Sequence, residues 1–117
     1  MNERPGWIQL LYERHNAWHA LHSAFLLHGF KDFVAGEADA QPDGRGQLRQ
    51  VALSELRSDD PHSVAMSLLF LGVVGHLDDL PAVETFITHP SDLIQKAARA
   101  SLFELKRKNK SAKISGD

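Results

Sequence analysis

The stretch VAMSLLFLGVVG, residues 64 to 75, constrains this chain more than any other. It follows Asp60-Pro61, a helix-start pair, and ends at Gly75, a helix-stop residue. Laid on a helical wheel, Met66, Leu69, Phe70 and Val73 fall opposite Val64, Leu68 and Leu71, so the segment is apolar nearly all round. Such a helix must be sandwiched between neighbours. It is also well short of the roughly 20 residues needed to cross a bilayer, so it predicts the core of a globular domain and no membrane span.

The flanking segments supply the neighbours. Trp7, Leu11, Trp18, Leu21 and Phe25 recur with a helical period, Pro5 suits a first turn and Gly29 a stop, which predicts a long helix over about residues 6–28. Phe30, Phe33 and Val34 follow as a short helical piece. GEADAQPDGRGQ, residues 36–47, has three glycines, a proline and no large apolar side chain, and reads as an exposed loop. Helical periodicity returns in LRQVALSELRS, DLPAVETFITH and SDLIQKAARASLFELKRK. On the last, Ile94, Ala97, Ala98, Ser101, Leu102 and Leu105 share a face opposite Asp92, Lys96, Arg99 and Arg107. No segment alternates with a two-residue period, so the expectation is an all-α fold of about five to six helices. At 117 residues it forms a single domain over 1–108, with a disordered basic tail over 109–117 that is frayed beyond about residue 108.

The second half carries a weak internal repeat: Leu71 and Leu102 lie 31 residues apart, Val64 and Ile94 open their helices, and Leu48 with Val51 resemble Leu80 with Val83. Two helices per unit of roughly 30 residues is an α-solenoid signature. LGVVGHLDDLPAVETFITHPSDLIQKAARASLFEL, residues 71–105, resembles the HEAT-like repeat of the phycobilisome-lyase type. In that repeat a Leu-Gly pair closes one helix, Leu-Pro opens the next, and an Ala-rich helix follows. Phe103 departs from it, standing where a small glycine usually sits. The resemblance implies a short solenoid of antiparallel helix pairs and no particular chemistry, since such repeats scaffold unrelated functions.

Charge bears on partners. Residues 1–105 hold eight Lys/Arg against fourteen Asp/Glu, a balance of −6, and five basic residues with Asp117 follow. An acidic body is a poor duplex reader and suits a basic protein partner. There are no cysteines, so disulfides, thiolate zinc sites and thiol nucleophiles are excluded. No apolar leader with a small-residue cleavage site opens the chain, and the expected location is the cytoplasm.

Candidate sites are few. His15, His19 and His22 share one helical stripe on the margin of the apolar face; their spacing admits a metal, but no HExxH pattern or paired carboxylate completes a ligand set. The expected reading is therefore a core boundary, with no metal or other cofactor. Asp59-Asp60 and Asp78-Asp79 precede helices, where carboxylates cap free N–H groups, and His62, His76 and His89 sit at turns. No nucleophile elbow or phosphate loop is present, so catalysis is not expected. What remains is a protein-interaction module, in one form an inhibitor or immunity protein covering a basic toxin. The expected contacts are His62, Met66, Gln95, Lys96, Arg99 and Arg107, with His15, His19 and His22 as a second patch. The alternatives are a nucleic-acid-binding HEAT-like protein or a His-rich metal-binding protein.

Overall fold

The computed structural model describes residues 4–14 and 24–115, with side chains from 4–14 and 29–107. Among them six α-helices and no strand occur: α1 (Gly6–Arg14), α2 (Ala24–Asp39), α3 (Gly44–Glu55), α4 (Pro61–Val74), α5 (Leu80–Glu84) and α6 (Asp92–Ser115), with a 3-10 turn at Leu77–Asp79.

The all-apolar segment is α4, and every residue from Ser63 to Val74 on it is buried. It packs against α2, α3 and α6, so each of its faces meets a neighbour. Phe70 sits in the middle, edge-on to Tyr12 of α1 (centroids 4.8 Å apart) and stacked on Phe30 of α2 (5.7 Å). Fully burying each of Leu68, Leu71 and Phe70 contributes roughly 1.5–3 kcal/mol, and this is the main term holding the helices together. Asp60 caps α4 by accepting the Ser63 N–H (3.3 Å) and hydroxyl (2.8 Å), and Pro61 takes the first turn.

Gly75 ends the helix as its sequence reading expected, whereas Gly72, of the Leu-Gly pair that closes a helix in the repeat, does not: α4 runs on past it to Val74. A Cβ on Gly72 would lie 3.3 Å from the Ser101 Cα, so glycine there allows α6 to approach closely. The buried face of α6 is as expected, with Ile94, Ala97, Ala98, Ser101 and Leu105 inside and Asp92, Lys96, Arg99 and Arg107 outside.

Three expected boundaries are corrected. Gly29 does not stop a helix: α2 continues through it to Asp39, carrying Phe30 and Val34 into the core. The exposed loop expected over 36–47 shrinks to residues 40–43. Ala38, Gly44 and Leu48 are buried, and their packing outweighs the roughly 1 kcal/mol that a helical glycine costs. At this turn Asp43 adopts the left-handed region (φ 52°), while a Cβ on Gly44 would stand 1.9 Å from the Ala38 carbonyl oxygen. Arg45 clamps the turn by donating to both oxygens of Asp39 (2.6 and 3.1 Å). Finally, the backbone expected to fray beyond residue 108 is helical to Ser115. Lysine and alanine are good helix formers, which favours this extension of α6.

Candidate functional site: a cleft between the second and last helices

Helices α2 and α6 both lie on α4, and a cleft of about 530 Å³ is lined by residues of both. Gly72 and Val73 of α4 form part of its lining. Lys31, Asp32 and Ala35 come from α2, Arg45 from the start of α3, and Phe103, Glu104 and Arg107 from α6. The helical spacing of 31, 32 and 35, and of 103, 104 and 107, places each trio on one face.

Glu104 organises this cleft. It is 8% exposed, and both of its oxygens are used: Oε1 accepts from Arg107 Nε and Nη2 (3.2 and 2.9 Å), and Oε2 pairs with Lys31 Nζ (3.0 Å). Burial opposes its ionisation, but the Arg107 and Lys31 hydrogen bonds outweigh that and hold its carboxyl below the usual range. One buried carboxylate thus fixes two cations. Beside it, Phe103 is 65% exposed, an unusual position for a phenylalanine.

A smaller void of about 10 Å³ adjoins the cleft, sharing Lys31, Gly72, Val73 and Glu104 with it. Ser101 also lines this void; it is 1% exposed, and its hydroxyl has no hydrogen-bond partner among the described residues.

Two further polar clusters are structural. Arg4 donates to Glu55 (2.8 Å) and Ser63 (3.1 Å) and lies 3.7 Å over the Tyr12 ring, tying α1 to α3 and α4. Ser67 donates to the Ser63 carbonyl (2.7 Å), so the Tyr12 hydroxyl donates to Ser67 (2.7 Å). Burial pushes the Tyr12 hydroxyl up to about 12. In the other cluster, Arg49 Nε and Nη2 each donate to Asp79 at 2.8 Å, and Asp79 also accepts the His76 N–H at 2.8 Å. Asp79 makes no side-chain cap to α5, the helix it precedes; its carboxylate instead bolts α3 to the 3-10 turn after α4.

The expected contact residues scatter. Met66 is fully buried in α4 and has no surface to offer a partner, because this helix has no outward face. His62 is half-buried at the start of α4. Lys96 is exposed and pairs with Asp92 (3.2 Å). Gln95, Arg99 and Arg107 do share a stripe of α6 at four-residue spacing, and the position between Arg99 and Arg107 is Phe103. Phe103 was the residue missing from the expected set; its departure from the repeat pattern was the signal. His15, His19 and His22 lie outside the described residues. Among the described residues, no cluster of His, Asp or Glu could hold a metal ion, and no helix is long and apolar enough to cross a membrane. Comparison with family models, with curated proteins and with solved structures finds no match to this chain.

Proposed function

We propose that this chain is a non-catalytic protein-interaction module that holds a segment of another polypeptide in the α2–α6 cleft. The observation that carries the reading is Phe103: a large apolar ring, 65% exposed, flanked one turn away on either side by Arg99 and Arg107 and set against a cleft of about 530 Å³. Aromatic and arginine side chains are the usual anchors of binding energy at protein interfaces. On the same reading, the α3–α4 and α5–α6 pairs are two short HEAT-like repeats of a solenoid.

A second surface favours the inhibitor or immunity-protein form of this function, with a basic partner. Asp59 before α4, Asp78 before α5 and Glu84 at the end of α5 are exposed and have no ion-pair partner among the described residues. The test is affinity capture from the native host with the wild type, Phe103→Ser, Lys96→Ala and an Asp59→Asn/Asp78→Asn/Glu84→Gln variant. A partner retained by Lys96→Ala and lost by Phe103→Ser supports the cleft. One lost only by the triple variant moves the function to the acidic surface.

A further inference from the structure

We infer that the outward ridge of α6 rests on an anionic membrane surface, with its cations among acidic lipid headgroups and Phe103 dipping beneath them. This goes beyond the proposed function and does not depend on it, since the ridge runs along the side of Phe103 away from the cleft residues Glu104 and Arg107.

Charge in this chain is segregated. Helix α6 carries seven Lys/Arg against two carboxylates, whereas the rest of the chain holds six against thirteen. Both carboxylates of α6 are already held, Asp92 by Lys96 and Glu104 by Lys31 and Arg107. Arg99 and Lys106 are exposed and have no ion-pair partner among the described residues. Arg99, Phe103, Lys106, Lys110 and Lys113 follow one another at intervals of four, three, four and three, so their positions form one stripe of the helix, roughly 21 Å long. Among the described residues Leu105 is the last of α6 in the core, and the helix runs on to Ser115, about 15 Å further. That overhang exceeds the Debye length of about 8 Å at physiological salt, so the acidic body does not cancel its charge.

The shape of the ridge selects among polyanions. A helix in a duplex groove has phosphates on both flanks and uses cations on both sides of its axis, but of the basic residues after Glu104 only Lys108 sits across the axis from the ridge. A straight, one-sided line of cations fits a flat anionic sheet instead. Phe103 points the same way: its ring, 65% exposed and in line with the cations, gains nothing from a phosphate backbone, whereas lipid headgroups cover an apolar layer that it can enter.

The test is co-sedimentation of the full chain with phosphatidylcholine vesicles, alone or with about a third phosphatidylserine, at low and at physiological salt. Binding is expected only to the phosphatidylserine vesicles, and weaker as salt rises. Each cation at the surface contributes roughly fivefold, so Lys106→Gln/Lys110→Gln/Lys113→Gln should bind roughly a hundredfold more weakly, while Lys108→Gln should change binding by less than about twofold. Glutamine is a good helix former, so these variants keep α6. The chain has no cysteine, and a Phe103→Cys variant carrying an environment-sensitive dye should report insertion as a blue shift on the same vesicles. No binding to phosphatidylserine vesicles at low salt, equal losses from Lys108→Gln and Lys110→Gln, or binding without a blue shift would overturn the inference. A single-stranded oligonucleotide held by the ridge lysines while vesicles stay free would overturn it too, and assign the ridge to nucleic acid. The triple lysine variant leaves the cleft lining unchanged, so capture of a polypeptide through Phe103 stands or fails separately.

Discussion

Replacing Asp79 with alanine tests the bolt between α3 and the turn after α4. Asp79 is 4% exposed and accepts two bonds from Arg49 and one from the His76 backbone, all at 2.8 Å. Hydrogen bonds to a charged group contribute roughly 1.5–3 kcal/mol each, but the three share one desolvation cost and do not add. Removing one partner of a buried pair typically costs about 3–5 kcal/mol because the other is left uncompensated. Here the stranded group is Arg49, whose side chain is 22% exposed and can turn partly into water, which places Asp79→Ala near the lower end, about 3 kcal/mol. For a domain of this size that lowers the melting midpoint by roughly 10 °C.

Urea unfolding followed by far-ultraviolet circular dichroism measures the loss. Arg49→Met should cost a similar amount, since it strands the more deeply buried carboxylate, and the double variant should cost clearly less than the two singles together. Asp79→Ala within about 0.5 kcal/mol of wild type, the range of an ordinary surface change, would refute the reasoning. Additive single effects would likewise show that the two side chains do not act as a pair.

Tyr12 is the only tyrosine, so a phenolate absorbance titration reads it alone; it should ionise at about 12 rather than 10, and stability should fall as pH rises from about 10 through 12, because the folded state holds the neutral form. Titration of the phenolate at the ordinary value in folded protein would show that Tyr12 is not buried against Ser67. Acid should act on the carboxylates: Asp79 and Glu104 are held below their ordinary 3.8 and 4.5, so their stabilisation is present above those values and lost as pH falls through the lower folded ones. An Asp79→Asn/Glu104→Gln variant should show a flatter urea midpoint across that acid range, and an unchanged slope would assign the acid sensitivity elsewhere. Gly44→Ala should destabilise by about 2 kcal/mol or more, since its Cβ would meet the Ala38 carbonyl, whereas Asp43→Gly, which relieves the left-handed residue, should be neutral or stabilising in the same denaturation assay.

Periodicity alone determined a good deal. The run from Val64 to Val74 is apolar on every side, and only a central helix can satisfy that. The inward face of α6 and the capping role of Asp60 were equally legible, because each depends on residues within a turn or two of one another. The reach of α2 through Gly29 and Gly36, and the tight 40–43 turn, were not. They depend on Phe30, Val34 and Ala38 finding the core and on Gly44 meeting the Ala38 backbone, contacts that local propensity cannot register. The stripe Gln95, Arg99, Phe103 and Arg107 could be counted off by fours, but a cleft beside its lower half exists only because residues of α2, α3 and α4 are brought next to it by folding. Folding also sets Lys31 and Arg107 on opposite oxygens of one buried glutamate, 73 residues from the first of them, so the charges gathered at the cleft are not those of any one stretch of sequence. Net charge is a sum over the sequence, whereas binding responds to the few charges that folding brings within a Debye length of one another.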